Sequence, residues 1–274
     1  MGRLFYSVSG VVFALALAAG CAPPPPAEPE ATGYVVPKTS DGDPDYNGIW
    51  QALGAAHWDL EDHAARQGPA PLMGALGAIP AGRSVVVGGT IPYTPEALAV
   101  RDENRADWVR RDPAVKCYMP GIPRATYMPF PFQFVQSKDA IFAAYEFTSS
   151  TRIIHLDRPG TEAELPAWMG YSLGRFEGDT LVVDVTAQVP DTWFDASGNY
   201  HTADLKVTER YMRTGPDTLQ YEATMEDPSI FTAPWTISMP LYRRLEPGAQ
   251  ILEYKCVEFA EYATFGHLYP EGVQ

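Results

Sequence analysis

From Phe130 to Cys256 the chain alternates short apolar runs with brief polar turns, and this succession constrains the fold more than any other feature. Phe130 to Gln136 and Ala140 to Phe147 flank Ser137-Lys138-Asp139, and Gly174 to Phe176 and Thr180 to Thr186 flank Glu177-Gly178-Asp179. Leu205 to Arg213 and Thr218 to Glu226 flank Thr214-Gly215-Pro216-Asp217, and Trp235 to Leu245 and Ile251 to Cys256 flank Glu246-Pro247-Gly248. Thr151 to Asp157 adds one more run. Such turn segments supply the backbone geometry that tight hairpins need. Within the runs, apolar side chains recur every second residue: Leu181, Val183 and Val185 oppose Asp184 and Thr186, while Leu219, Tyr221, Ala223 and Met225 oppose Gln220, Glu222, Thr224 and Glu226. A period of two is that of a half-buried strand. The expected fold is mainly β: an antiparallel up-and-down meander of about nine strands, closed or nearly closed so that no edge is left open.

The stretch from about 55 to 125 breaks this pattern and reads as a helix and loop insertion. Trp58 to Arg66 and Pro95 to Arg111 have helix-forming composition, the second with Thr94 as N-cap and Pro95 in the first helical position. Gly68 to Gly89 between them is rich in Gly, Pro and Ala and reads as a long loop.

Residues 1–20 read as an export signal: Arg3, then an apolar run from Val8 to Leu17 too short to span a bilayer. The run ends on Leu17-Ala18-Ala19-Gly20-Cys21, which resembles the bacterial lipobox and implies cleavage before Cys21 and lipidation of its thiol. An ordinary secretory signal with an incidental Cys21 is the alternative. Residues 21–45, opening with four prolines after Ala22, read as a Pro-rich tether. Ala22 after the cysteine resembles the pattern sorted to the outer membrane, which implies a domain, 46–274, facing the periplasm or the cell surface.

Loss of the signal removes Arg3 and leaves 19 basic against 34 acidic residues, a formal charge of -15. A surface so acidic opposes nucleic acid and anionic lipid, so the expected partners are a small-molecule ligand and the membrane reached through Cys21. With Cys21 lipidated, Cys117 and Cys256 remain, in a compartment that permits a disulfide. They are expected to pair, two buried thiols being the alternative.

Gly48-Ile49-Trp50 opens the first strand as the Gly-x-Trp signature does in lipocalins, where the tryptophan seals the closed end of a barrel. The likeness covers that strand and the general meander. Asp43-Pro44-Asp45-Tyr46-Asn47-Gly48-Ile49-Trp50, the run from Ala114 to Arg124, Phe176 to Val183 and Glu209-Arg210-Tyr211 resemble an uncharacterised family of exported bacterial β-rich lipoproteins. That second likeness spans nearly the whole mature chain and implies one domain, without a reaction.

Four constellations are candidate sites. His57-Trp58-Asp59-Leu60-Glu61-Asp62-His63, if helical, stacks His57 over Glu61 and Asp59 over His63, spacing that would let His57, Asp59 and His63 take a divalent metal. A solvated acidic face is the alternative. The run from Asp191 to His201 interrupts the strands and places Trp193, Asp195, Tyr200 and His201 at a barrel mouth, where Asp195 would orient His201 for acid-base work. A plain hairpin turn is the alternative. Glu209 and His155 fall where a barrel interior would be: Glu209 would bind ligand or pair with Arg243 or Arg244, and His155 would bind ligand or sit satisfied in the core. The proline-stiffened run from Met119 to Phe132 brings Arg124, for an anion, and Tyr127 to a pocket or a rigid cover.

Phosphate loops, the Gly-x-Ser-x-Gly elbow, His-Glu-x-x-His and paired-cysteine metal motifs are absent from the sequence. Two functions stay open: binding of a small apolar or aromatic molecule in a barrel cavity without a cofactor, or a lyase, isomerase or hydrolase reaction using His201 with Asp195, helped by a metal at His57 and His63.

Overall fold

The computed structural model describes Gly2, residues 33–69, residues 75–255 and Gly266. The chain divides into two units, Met1–Ala31 and Thr32–Gln274, and every element below belongs to the second. Cys21 and Cys256 lie outside the described residues. No helix among the described residues is long and apolar enough to cross a membrane.

Nine strands close into one barrel in chain order. They are β1 Gly48–Ala52, β2 Phe132–Gln136, β3 Ala140–Tyr145, β4 Thr151–His155, β5 Tyr171–Glu177, β6 Thr180–Thr186, β7 Lys206–Gly215, β8 Thr218–Glu226 and β9 Trp235–Arg243. All neighbours pair antiparallel except β4 and β5, which run parallel through Ile154 opposite Ser172. A parallel pair cannot be joined by a hairpin. The connection from Leu156 to Gly170 therefore carries the chain from one end of the barrel back to the other.

Closure corrects the expected last strand. Residues 251–255 form none, and β9 pairs instead with β1, Trp50 opposite Arg243 and Ala52 opposite Leu241. The insertion covers the first half of β9: Val86 bridges Ile237, Val87 N–H donates to Thr236 O at 2.8 Å and Ser238 N–H to Val85 O at 2.8 Å.

Inside the insertion lie α1 Pro95–Ala106, α2 Trp108–Arg111 and α3 Arg124–Tyr127. α1 begins as the sequence suggests, with the Thr94 hydroxyl accepting from Ala97 N at 3.2 Å and Pro95 in the first turn. The helix expected over Trp58 to Arg66 does not form. The amides of His63 and Arg66, which a helix would bond four residues back, donate to Gly82 O and Ile79 O, each at 3.0 Å, and Asp62 Oδ1 accepts from Ser84 N at 2.7 Å. His63 and Arg66 bridge to Gly82 and Ile79 instead.

Residues 33–45 pack on the barrel ahead of β1. Val36 is buried, Lys38 pairs with Asp179, and Arg213 Nη1 donates to Asp45 O at 2.8 Å.

The hairpins β2–β3, β5–β6 and β7–β8 are short and share one end of the barrel. Toward that end Trp50 is fully buried beneath Arg243, whose guanidinium carbon stands 4.4 Å from the ring centroid, and beside Arg213 at 5.7 Å. Gly48 adopts φ +142°, and a Cβ there would sit 2.3 Å from Arg243 Nη1. Glycine at this position thus lets the arginine cross the strand onto the tryptophan. Apart from Leu156 to Gly170, which starts at the hairpin end, the long connections leave the opposite end: the insertion, residues 187–205 between β6 and β7, and residues 227–234 between β8 and β9.

Candidate functional site

The inward faces of β2 to β9 fill the lumen with side chains. Phe132, Phe134, Ile141, Ile154, Leu181, Val183, Tyr221, Met225 and Leu241 are all nearly or fully buried. Among them stands Glu209, fully buried, whose Oε2 accepts from Arg152 Nη1 at 2.7 Å. Its Oε1 accepts from the hydroxyls of Tyr211 and Tyr221, each at 2.8 Å, and Arg152 also donates to Tyr211 Oη at 3.2 Å and Ser172 Oγ at 3.3 Å. A buried carboxylate persists only when its lone pairs are taken this way. Glu209 is therefore paired, but with Arg152 and not with Arg243 or Arg244. Burial pushes the Tyr211 and Tyr221 phenols well above their usual range, with Glu209 acting in the same direction.

His155 does not share that lumen. Arg152 and Ile154 are the buried residues of β4, so His155 takes the outer face, half-buried, its ring 5.3 Å from that of Tyr171. Burial, and next Arg158, lower its pKa.

At the open end, the loop after β6 folds inward. Residues 192–199 are buried throughout. Phe194 packs edge-on against Trp235 at 5.4 Å, and Tyr127 Oη, from α3, donates to Phe194 O at 2.7 Å. Trp193 is buried and bridges Tyr200, whose half-buried ring stacks on Tyr93 at 6.1 Å.

His201 and Asp195 both lie in this plug, holding different partners. His201 Nδ1 stands 2.8 Å from Thr202 O, so it carries the proton and donates; Nε2 then accepts from Thr192 Oγ1 at 2.6 Å and Gln188 Nε2 at 3.2 Å. Burial lowers its pKa, favouring this neutral form. Asp195 is fully buried and accepts from Asn199 Nδ2 at 2.7 Å, Leu60 N and Ser197 N at 2.9 Å, and Asn199 N at 3.3 Å. Burial, then neighbouring Asp59, raises its pKa, and the bonds from Asn199 and Leu60 and the charge of Arg124 oppose them, leaving it at about 7. The expected Asp195–His201 pair is thus replaced by two separate networks that pin the plug to the insertion and to the β6 connection.

Two of the expected metal ligands, Asp59 and His63, have protein partners. Asp59 is buried, accepting from Ser197 Oγ at 2.7 Å with Arg105 Nη2 at 3.5 Å. His63 Nδ1 donates to Glu61 O at 2.9 Å. The His57 ring lies tilted 5.0 Å from that of Trp58, and burial, with lesser effects of Arg124 and His63, lowers its pKa to about 4. Among the described residues no three His, Cys, Asp or Glu side chains converge on a point. Arg124, expected to meet a ligand anion, is buried with both terminal nitrogens 2.7 Å from the carboxylate of Asp112.

One expected residue does line a cavity. A hollow of about 320 Å³ opens between the end of β1, residues 81–85 of the insertion, α3 and β9, and Tyr127 forms part of its wall. Ala52, Leu53, Ala55, Ala56, Val85, Met239 and Pro240 make the rest largely apolar. A second depression, of about 570 Å³, lies along Gln51, Leu53 and residues 242–246, where Arg244 is bonded to Glu246 and Gln51.

Sequence reasoning overlooked Arg152, Asp112, Gln188 and Arg83. For Arg152 a signal existed, a charge alternating with Ile154 on an apolar face. The chain as a whole matches no family model and no curated protein.

Proposed function

We propose that the protein is an exported lipoprotein, held to a membrane through Cys21, whose barrel binds one small, largely apolar or aromatic molecule at its loop-bearing end. The cavity beside Tyr127 carries this reading. Its volume of about 320 Å³ falls at the lower end of the range for small-molecule sites, and its walls are mainly alanine, leucine, valine and methionine. A ligand within the lumen would have to displace packed aromatic side chains and the Arg152–Glu209 pair, whereas the rim cavity is already open. It also sits where connections rather than hairpins meet, the usual place for binding residues on a rigid scaffold.

Titration with N-phenyl-1-naphthylamine, a neutral dye that brightens in apolar surroundings, tests the reading. One saturable site per chain is expected, and Ala81→Trp, which places an indole in the hollow, should abolish it. Saturable binding untouched by Ala81→Trp would move the site elsewhere, and no binding to the wild-type protein would overturn the proposal.

A further inference from the structure

We infer that the rim cavity selects anions: the molecule it takes is a small aromatic or aliphatic carboxylate or sulfonate, its apolar body against Leu53, Val85 and Met239 and its charged group on Arg83. This deepens the proposed function and rests on it.

Only three side chains in the cavity wall carry polar groups, Arg83, Tyr127 and Ser238. Two are already committed. Tyr127 Oη donates to Phe194 O at 2.7 Å. Ser238 Oγ accepts from Gln220 at 2.8 Å and donates to Glu222 Oε1 at 3.3 Å, which turns it onto the outer face of the barrel. Arg83 alone remains available, exposed, with no ion pair or hydrogen bond among the described residues.

That freedom is unusual for this chain. It has 34 acidic against 20 basic residues, and the arginines of the barrel and insertion are largely occupied: Arg124 by Asp112, Arg152 by Glu209, Arg175 and Arg210 by Glu177, Arg244 by Glu246. Arg66 also lacks an ion pair, but it lines none of the described cavities. An unpaired guanidinium on the lip of an apolar hollow offers five donors in a plane suited to carboxylate or sulfonate oxygens. The wall presents no carboxylate that would repel such a group. The net charge of the chain disfavours the approach of anions, so any preference for them must arise from this local contact.

Two dyes with one skeleton separate the contributions. 8-Anilinonaphthalene-1-sulfonate carries a sulfonate on the frame of N-phenyl-1-naphthylamine. At low ionic strength the wild-type protein should bind the sulfonate at least fivefold more tightly than the neutral dye, and the ratio should fall as salt rises. Arg83→Gln should bring the ratio close to one, and Arg83→Lys should restore part of it. A ratio near one in the wild type, or a ratio that survives Arg83→Gln, overturns the inference while leaving the binding reading intact. An equal loss of both dyes in Arg83→Gln would show stacking on the guanidinium and overturn it too. If neither dye binds the wild type, the proposed function fails and this inference fails with it.

Discussion

Arg152 on β4 and Glu209 on β7 meet across the lumen at 2.7 Å, both fully enclosed, and they are the hub of the only charged network described inside the barrel wall. Their attraction is strengthened by the surrounding apolar packing, which also makes either charge costly without the other. Arg152→Met or Glu209→Gln should each destabilise the protein by about 3–5 kcal/mol in urea denaturation. Arg152→Met combined with Glu209→Gln should cost clearly less than the two single changes added. Additive losses would mean that the pair is not coupled.

The barrel was legible in the sequence because its cause is local. The alternation in Thr180–Thr186 and Thr218–Glu226 and the Thr94-Pro95 start of α1 need no knowledge of distant contacts. What was missed depends on such contacts. Alternation assigns Glu209 to an inner face without saying which strand lies across the lumen, so Arg152 could not be chosen over Arg243. Closure of β9 on β1 joins opposite ends of the chain, and the apolar run after Gly248 imitated the missing strand. At Trp58 to Arg66 the helical composition yields to distant partners, the amides of His63 and Arg66 donating to Gly82 and Ile79. The plug residues were recognised as a group at a barrel mouth, but Asp195 and His201 find nearer partners than each other.

A half-buried and a buried group in that region, His57 and Asp195, give opposite dependences on pH. His57 titrates at about 4 in the folded protein against an ordinary 6.5, so its contribution to stability is present above pH 6.5 and is lost as pH falls toward 4. Asp195 titrates at about 7 against an ordinary 3.8, so stability is gained as pH falls from 7 toward 3.8. Each pH unit of such a shift corresponds to about 1.4 kcal/mol. Relative to wild type, Asp195→Asn should lose stability more steeply on acidification from pH 6.5 to 4, and His57→Gln less steeply. Parallel curves for all three proteins would contradict these assignments.

Cys117 and Cys256 are proposed to form a disulfide and Cys21 to carry lipid. A bond closing roughly 140 residues is worth about 4–5 kcal/mol in the chain-entropy view. Mature protein from an oxidising compartment should show no thiol to an alkylating reagent after denaturation, and two thiols after reduction. Two thiols before reduction would exclude the bridge. Cys21→Ser should release the protein from the membrane fraction, and a processed variant that stays there would exclude the anchor.

The placement of the ligand is tested most directly by methyl NMR during titration with 8-anilinonaphthalene-1-sulfonate. The account predicts shift changes confined to Ala52, Leu53, Ala55, Val85 and Met239 around the rim cavity, with Val183, Ala223 and Met225 of the lumen unmoved. Large changes at the lumen methyls, with the rim unperturbed, would contradict it.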